Sequence, residues 1–394
     1  EDATFKRTLI DAASSLEVGS VWALENRIAA LVHPPKDNLK RALDELEEHE
    51  HWALEPRYGD ENHPYMLKPS IRWGTQAGDF CHMNELFGPV LSVMRADNLD
   101  DAIEKVNATD YGLTSGLESL DEREQSLWKE QLLAGNLYIN RMTTGAIVLR
   151  QTFGGMRKSA IGSGKKAGGL NYVSQFMQLH FDGSYDGERG NHPYMETIAT
   201  LLNVSGSFTQ EVKKCLETLS NFAYWLEKEF LQEHDYCNVR GESNVIRYLP
   251  VKGLLLRCDE ADTLYEILSS IAAAKMCGAS LHLSIANGAT SEALLYVKKN
   301  RTLLLDAADR FAEEDETSLI AAIRKADRIR FLHPESVTKS MHEALAEDAV
   351  YIASEPFIGH GRIELMHYFR EQSISNSYHR YENLGLKGLK EKEN

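Results

Sequence analysis

Apolar residues recur at helical spacing in four stretches of the first third of the chain. Residues 4–16 and 36–50 predict two amphipathic helices, and the same spacing returns at 99–108 and 121–134. Gly135 follows the fourth stretch, and glycine is favoured just past a helix end. Four helices are therefore expected in this part of the chain.

Strand-like segments lie among these helices. The segments RIAALVH, YMLKPSIRW and PVLSVMRA have the β-branched and aromatic content that is typical of strands. GNLYINR, which begins at Gly135, predicts a buried strand that enters a glycine-rich loop. The first part of the chain is therefore expected to be mixed α and β.

A change of composition marks a domain boundary at residues 182–193, where DGSYDGERGNHP is dense in turn-forming residues. Beyond a mostly helical stretch, VKGLLLRC, TLYEILSSIAAAKMCG and ASLHLSIA predict strand, helix and strand, the βαβ unit of a parallel sheet. The first strand-to-helix turn, RCDEADTL, carries acidic residues instead of a GxGxxG phosphate cradle. We therefore expect a degenerate Rossmann-like domain that does not bind a dinucleotide.

The expected fold class is α/β, with three parts. Residues 1–182 form the first domain, residues 183–355 form the Rossmann-like domain, and residues 356–394 form a C-terminal tail or flap. The tail is expected because REQSISNSYHRYENLG is polar, with tyrosines that suit docking on another surface.

Charge and apolar content limit the classes of partner. The formal net charge of -16 argues against nucleic acid and anionic membrane surfaces as partners. No run of about 18 apolar residues is present to span a bilayer, and the start has neither an initiator Met nor a signal-peptide pattern. We expect a cytoplasmic protein with no transmembrane segment, whose sequence begins within a longer polypeptide.

The cysteines indicate neither a disulfide framework nor a zinc site. They are odd in number, scattered and without CxxC spacing, so reduced thiols are expected. No other cluster has the spacing of a metal site, and no metal is expected. The five residues are Cys81, Cys215, Cys237, Cys258 and Cys277.

Three segments together resemble the aldehyde dehydrogenase superfamily. NELFGPVLSVMRADNLDDAIEKVNATDYGLTSGLES, from residue 84, resembles its E-x-F-G-P signature and the helix behind it. GNLYINRMTTGAIV and FGGMRKSAIGSGKKAGGLNYV resemble the strand, anchor loop and FGG segment that close its active site. The resemblance implies that Glu85 binds the nicotinamide ribose hydroxyls of NAD and that Phe87 packs near the nicotinamide.

The chemistry of a carboxylate agrees with this role for Glu85, because it can accept two hydrogen bonds from a ribose diol. The alternative is that Glu85 only caps or solvates a turn before the following strand. Many members of the superfamily carry a second acid just before this glutamate, where this chain has Asn84.

The loop RMTTGAIV resembles the anchor loop of 1-pyrroline-5-carboxylate dehydrogenases, in which a Gly-Ala pair holds the substrate α-carboxylate through backbone N–H groups. The matching pair is Gly145 and Ala146. Small residues let a carboxylate approach, and consecutive amides form an anion-binding concavity, although a plain tight turn is the alternative. The resemblance also implies that Phe153 packs on the aliphatic part of the semialdehyde. The usual proline before this Phe is replaced by Thr152, which is expected to loosen the loop.

No catalytic residue is expected within this chain. The family's chemistry needs a cysteine thiolate, an oxyanion hole and a general base. No cysteine stands in the G-[QE]-x-C context of the family's nucleophile, and Cys81 lies in a lead-in segment rather than an active-site loop. The opening EDATFKRTLIDAASSLEVGS resembles the helix after the nucleophile loop, so the nucleophile is expected upstream.

About two hundred residues follow NYVSQFMQLHF, a segment that the family uses to extend the sheet of a partner subunit. A homo-oligomer is therefore expected. The long extension resembles bifunctional proline-utilisation flavoproteins, in which an FAD-dependent proline dehydrogenase precedes the semialdehyde dehydrogenase. The resemblance implies NAD as cofactor, FAD in an upstream domain, and L-glutamate γ-semialdehyde as substrate, with NADP not excluded.

Two alternative functions stay open at this point. A non-catalytic structural or oligomerisation module would account for the missing nucleophile. A dehydrogenase for another acid semialdehyde would use the same carboxylate anchor. For the second domain the hypothesis is a scaffold that covers a tunnel or builds the oligomer.

Overall fold

The computed structural model describes residues 2–60, 62–346 and 350–379. The chain forms two compact units, Glu1–Asp110 with Asp121–Leu133, and Tyr111–Leu120 with Ala134–Asn394. This division differs from the limits at 182 and 355 expected from the sequence, because strands from both sides of those limits share one sheet. The sequence-based limits stay predictions of domain organisation.

The first unit contains a three-stranded sheet and five helices. Its strands are β1 (His51–Leu54), β2 (Ser70–Thr75) and β3 (Val90–Met94). Its helices are α1 (Ala3–Ser14), α2 (Asp37–Asp44), α3 (Phe80–Met83), α4 (Leu99–Asn107) and α5 (Glu122–Gln131). The sheet order is β1-β2-β3, with β1 antiparallel and β3 parallel to β2.

Side chains cap the two later helices of this unit. Asn98 accepts a hydrogen bond from the Asp101 N–H at the start of α4, and Asp121 accepts one from the Arg123 N–H at the start of α5. Such caps satisfy N–H groups that have no acceptor within the helix. The helices predicted at 99–108 and 121–134 are confirmed to within three residues.

Two predictions in the first unit need correction. Helix α2 ends at Asp44 instead of residue 50, because the residues that follow bind the buried Arg72. The Arg72 guanidinium donates to the Glu45 carbonyl at 2.7 Å and pairs with the Glu50 carboxylate, which ties the end of α2 to β2. RIAALVH forms no strand, since it finds only an isolated bridge at Ile28.

The second unit contains a four-stranded sheet of mixed direction. Its strands are β4 (Thr114–Leu117), β5 (Asn136–Ile139), β6 (Glu242–Pro250) and β12 (Phe369–Ser377). The order is β4-β5-β12-β6, in which β12 is parallel to β5 and antiparallel to β6. Every residue of β5 is buried, as the GNLYINR pattern predicts. In this sheet β5, which precedes the glycine-rich loop, lies beside β12.

The expected tail is corrected over residues 369–377, which form the inner strand β12. Its polar side chains lie inside the protein and are matched by partners, as when Gln372 accepts from Arg247 Nε at 2.8 Å and donates to the Ala134 carbonyl at 2.8 Å. Polar composition alone therefore did not indicate a buried strand here. Residues 380–394, also assigned to the tail, lie outside the described residues.

The same unit contains a five-stranded parallel sheet of order β11-β10-β7-β8-β9. Its strands are β7 (Gly253–Cys258), β8 (Ser280–Ala286), β9 (Arg310–Glu314), β10 (Arg328–Arg330) and β11 (Ile352–Ala353). The helices that connect them are α8 (Leu264–Met276), α9 (Glu292–Leu304), α10 (Glu316–Ile323) and α11 (Lys339–Ala346). Counted from β7, this is the 3-2-1-4-5 part of the 3-2-1-4-5-6 Rossmann order, which confirms the predicted βαβ unit and its class.

Among the described residues, the unit has three further α-helices, α6 (Tyr194–Thr200), α7 (Thr209–Trp225) and α12 (Gly361–Glu364), and a π-helix, Leu226–Phe230, continues α7. α6 and α7 pack on α8, and Leu219, Phe222, Leu268 and Ile271 are buried in their shared core. In this single chain Tyr172–Phe176, within the segment NYVSQFMQLHF, forms a 3-10 helix, and the expected pairing with a partner subunit's sheet stays a prediction. Within the described part of the chain, no helix is both long and apolar enough to cross a membrane.

Candidate functional site

Glu85 and Phe87 line one cavity of the first unit. The cavity has a volume of about 620 Å³ and is bounded on its other side by residues 30–34 and by the start of α2. The Asn38 side chain donates to the Glu85 carbonyl at 3.3 Å, which fixes the backbone while the Glu85 side chain stays exposed. A cavity of this size suits a small-molecule ligand or part of a cofactor.

The backbone at Phe87 is in the left-handed region, with φ at 51°. A bulky residue there costs on the order of 1–3 kcal/mol, and such residues concentrate at ligand sites. The following Gly88 lets the turn lie against α2, because a Cβ at that position would come within 2.6 Å of the Leu39 side chain. The Phe87 side chain is 84% exposed, so its ring is available to a ligand.

Gly145 and Ala146 lie on the exposed loop that follows β5. Gly145 has φ at 97°, a conformation that side chains rarely adopt and that explains glycine at this position. Among the described residues, neither the Gly145 N–H nor the Ala146 N–H donates to a protein acceptor. The loop therefore presents two adjacent donors to solvent, as an anion site requires.

The carbonyl of Gly145 is held from the protein side. The Tyr138 hydroxyl donates to it at 3.3 Å, and burial raises the pKa of Tyr138, which keeps that hydroxyl protonated. The side-chain amide of Gln151 is oriented with its nitrogen toward the Gly145 carbonyl, to which it donates at 2.9 Å. Its oxygen accepts from the Arg141 guanidinium at 2.5 Å. In a trans peptide the N–H points opposite to the carbonyl, so these contacts aim the Ala146 N–H outward.

Phe153 is half-buried in a segment that two sets of hydrogen bonds fix. Its backbone exchanges two bonds with Ala167, at 2.9 and 2.8 Å. On either side, the Asn136 side chain donates to the Thr152 carbonyl at 2.8 Å and accepts from the Gly154 N–H at 3.1 Å. Thr152 is fully buried, and the loosening expected from the missing proline stays a prediction.

The five candidate residues fall into two groups in different compact units. Glu85 and Phe87 share the cavity of the first unit, whereas Gly145, Ala146 and Phe153 lie on one loop of the second. Their roles in binding stay predictions.

Four of the five cysteines lie in surroundings that disfavour a nucleophile. Burial raises the pKa of the thiols of Cys81, Cys215, Cys258 and Cys277, which disfavours the reactive thiolate. All five cysteines are free thiols. Among the described residues, no three His, Cys, Asp or Glu side chains are placed to hold a metal ion.

In the Rossmann-like part of the chain, side chains occupy the helix starts at which a dinucleotide fold would bind phosphate groups. Thr263 and Glu266 form a capping box at the start of α8, where a dinucleotide fold would bind pyrophosphate. The Glu260 carboxylate accepts from the Thr290 and Ser291 N–H groups at 2.5 and 2.8 Å, at the start of α9. Burial raises the pKa of the nearby Asp262 to about 7. These carboxyl groups disfavour a phosphate at either helix.

Comparison with known protein families gives a match over the first part of the chain. A family model described as the aldehyde dehydrogenase family covers residues 2–181. Residues 2–181 belong to the aldehyde dehydrogenase family. This match includes all five candidate residues and ends at the segment after the FGG loop.

Curated relatives of these aldehyde dehydrogenase residues carry a more specific name. The 1-pyrroline-5-carboxylate dehydrogenase of Bacillus subtilis (strain 168) is 32% identical over 164 residues, which are 42% of this chain and 32% of that protein. A second protein of the same organism, 1-pyrroline-5-carboxylate dehydrogenase 2, is 37% identical over 120 residues, which are 30% of this chain and 23% of that protein. The chain thus spans about a third or less of the relatives it matches.

A solved structure resembles the chain beyond the aldehyde dehydrogenase residues. Proline Utilization A (PutA) from Corynebacterium freiburgense superposes with a TM-score of 0.76 at 31% identity, over 97% of this chain and 35% of that one. The likeness extends over the Rossmann-like sheet, so the whole described fold has a counterpart in an experimental structure.

Sequence reasoning missed the residues that hold the loops of the aldehyde dehydrogenase segment. Tyr138 and Gln151 fix the carbonyl of Gly145, and Asn136 holds both sides of Phe153. Asn136 and Tyr138 belong to the predicted strand GNLYINR, where their alternation on a buried strand is the only sequence signal. Their partners become visible only once β5 and the loop are folded together.

Proposed function

We propose that this chain supplies the cofactor-positioning and carboxylate-anchoring parts of an NAD-dependent dehydrogenase. The enzyme would oxidise L-glutamate γ-semialdehyde, formed from 1-pyrroline-5-carboxylate, to L-glutamate in proline catabolism. The observation that carries the proposal is the pair of adjacent N–H groups at Gly145 and Ala146 on an exposed loop, neither of which donates to a described protein acceptor. The pair lies in a family segment whose curated relatives are named 1-pyrroline-5-carboxylate dehydrogenases.

The anchor loop suits an α-amino acid carboxylate. Two adjacent amides bind a carboxylate through both oxygens, and the exposed loop leaves room for the α-carbon of the substrate. Phe153 would then contact the methylene groups, since it follows the loop on a segment that Asn136 fixes. An uncharged aldehyde would lack the carboxylate contact and should bind less tightly.

The cavity at Glu85 fits the nicotinamide riboside part of NAD. The Glu85 carboxylate would accept hydrogen bonds from the ribose hydroxyls, and the exposed Phe87 ring would lie against the nicotinamide. NAD, when bound, supplies the hydride acceptor. The residues of this chain hold and orient it.

The remaining parts of the reaction are proposed to lie outside these residues. The cysteine surroundings described above do not favour a nucleophile, and the chain spans only 35% of the PutA chain it resembles. We therefore propose an upstream nucleophile and nucleotide-binding domain, preceded by an FAD-dependent proline dehydrogenase. The exposed side chains of Leu170, Val173, Phe176 and Met177 support a proposed homo-oligomer, and the free thiols suit a cytoplasmic location.

The test uses the native polypeptide, purified from its own cells through an affinity tag at the carboxyl end of this sequence. NADH formation should be fastest with 1-pyrroline-5-carboxylate and slower with butanal, which has no carboxylate. Succinate semialdehyde, which has a carboxylate but no α-amino group, tests the alternative of another acid semialdehyde. No NADH formation with any of the three aldehydes would contradict the proposal.

A further inference from the structure

Lys166 is a lysine with no solvent exposure, beside the substrate loop of the proposed dehydrogenase. Its Nζ donates to the Gly135 carbonyl at 2.8 Å, to Asn136 Oδ1 at 3.3 Å, and to the Gly154 carbonyl. These three acceptors belong to the start of β5 and to the segment that follows Phe153. One buried ammonium group therefore joins the strand before the anchor loop to the segment after it.

The number of acceptors matches the ammonium form of the side chain. An ammonium group has three N–H donors, and three oxygen atoms accept from it here. Burial lowers the pKa of Lys166 to about 7, and the Glu371 carboxylate opposes that shift. Lysines are almost never fully buried unless their amino groups are paired, as that of Lys166 is here.

Glycines make this arrangement possible. A Cβ on Gly135 would come within 2.0 Å of the Gly154 carbonyl oxygen and 2.5 Å of Lys166 Nζ. The two backbone segments therefore approach each other more closely than any side chain at residue 135 would allow. The ammonium group lies at this close approach, where it donates to the Gly154 carbonyl and shares the Gly135 carbonyl with the Ser373 N–H.

The backbone of Lys166 is itself held by β12. Glu371 accepts from the Lys166 N–H at 2.6 Å with one oxygen and from Asn171 Nδ2 at 2.7 Å with the other. Tyr248 on β6 also accepts from Asn171 Nδ2, at 2.9 Å. Strand β12 thus holds Lys166 in place, and Lys166 in turn holds the FGG segment.

We propose that Lys166 is a positioning residue for the substrate site, which binds the segment carrying Phe153 to β5 and couples it through Glu371 to the carboxyl-terminal strand. This inference rests on the proposed function for the identity of the substrate. It assigns the region after residue 181 a direct part in shaping that site, through β12.

Hydrogen exchange on the native polypeptide at about pH 6, where Lys166 is mostly in its ammonium form, tests the positioning itself. Lys166→Met removes the donors and keeps an apolar stem of similar length. The Phe153 and Gly154 amides should then exchange about tenfold faster, as expected for the loss of one buried charged hydrogen bond. Lys165→Met is the matched control, because the Lys165 ammonium donates to Ser174 at 3.0 Å and not to the segment.

The amides of β7 and β8 separate local loosening from general destabilisation. Any change in their exchange rates in Lys166→Met reports global stability, and the Phe153 and Gly154 amides should accelerate by about tenfold beyond that change. Equal acceleration throughout the chain, or no change at residues 153 and 154, would overturn the proposal. If Lys166→Met does not fold, Glu371→Gln decides, because it weakens the hold on the Lys166 backbone and should accelerate the same two amides by a smaller factor.

Kinetics on the native polypeptide then connect positioning to the substrate. Lys166→Met should raise the KM for the semialdehyde about tenfold and leave the KM for NAD unchanged, with Lys165→Met like the wild type. If the wild type is active and the KM for the semialdehyde is the same in Lys166→Met and Lys165→Met, the positioning role is overturned and the proposed function stands. If the wild type is inactive, but Lys166→Met exchanges faster only at residues 153 and 154, the proposed function is overturned and the structural coupling stands.

Discussion

The proposed anchor depends on the conformation of a single residue, Gly145. Its φ of 97° and the two donors to its carbonyl set the direction of the next N–H group. A side chain at this position strains the backbone and comes within 3.4 Å of Gln151. The geometry that would bind a carboxylate is therefore sensitive to one substitution that leaves the core untouched.

Gly145→Val should raise the KM for the semialdehyde at least about tenfold and change the KM for NAD little, because a lost charged contact has that magnitude. Gly183→Val is a control for backbone strain, since Gly183 has φ at 90° with no atom within 4 Å of an added Cβ. Steady-state kinetics on both variants of the native polypeptide measure the difference. Equal increases in both KM values for Gly145→Val would contradict the assignment of the anchor.

A second residue-scale prediction concerns stability and pH. The folded pKa of Lys166, about 7, lies below its ordinary value of 10.5, so the unfolded chain binds more protons between these values. Stability should therefore rise with pH in this window and be lost as pH falls through about 7. Relative to Lys166→Met, the free energy of urea unfolding should rise by about 2 kcal/mol between pH 7 and pH 9. Parallel curves for the two proteins would contradict a buried, titrating Lys166.

At the scale of elements, β12 connects the substrate loop to the rest of the second unit. Its registers join Ile374 to Leu137 on β5 and to Val245 on β6. The Ser373 N–H donates at 2.9 Å to the Gly135 carbonyl, which also accepts from Lys166. Loss of this strand should therefore affect the loop as well as the sheet.

Ser373→Pro should destabilise the protein by about 3 kcal/mol or more, because proline removes this N–H from an inner strand. Ser373→Ala keeps the N–H and should cost under about 1 kcal/mol. Urea unfolding followed by circular dichroism compares the two variants. Similar midpoints for both would show that β12 is not an inner strand.

The sequence indicated elements whose apolar pattern is strong. VKGLLLRC, TLYEILSSIAAAKMCG and ASLHLSIA became β7, α8 and β8 because each buries an apolar face in one core. β12 was missed because its buried side chains are polar and their partners are distant in sequence, as with Glu371 and Asn171. RIAALVH shows the opposite error, since strand-forming residues remained without a pairing strand.

Some residues of the candidate site could be predicted from the sequence and others could not. Glu85 and Gly145 follow from local motifs, which a sequence displays directly. Lys166 does not, because a lysine is expected at the surface and its three acceptors lie 12 or more residues away. Residues that hold a loop from behind belong to tertiary structure and have no local signal.

At the scale of the molecule, the chain combines an aldehyde dehydrogenase segment with a Rossmann-like sheet of 3-2-1-4-5 order. Carboxyl groups occupy the helix starts where a dinucleotide would bind. Strands β12 and β6 instead contact Lys166 and Asn171, and we propose that these contacts support the substrate loop. This account favours a scaffold over a second cofactor site.

NAD at saturating concentration should therefore leave amide exchange unchanged in β7, α8 and β8. Hydrogen exchange with and without NAD on the native polypeptide measures this, and the segment 84–90 provides the internal comparison because protection is expected there. Protection of β7 and α8 by NAD would contradict the scaffold role.

The most direct test of the central claim is a crystal structure of the native polypeptide with L-glutamate, the proposed product. The account predicts that the α-carboxylate accepts hydrogen bonds from the N–H groups of Gly145 and Ala146, with the carbon chain against Phe153. Glutamate bound elsewhere, with both N–H groups left to solvent, would contradict the account.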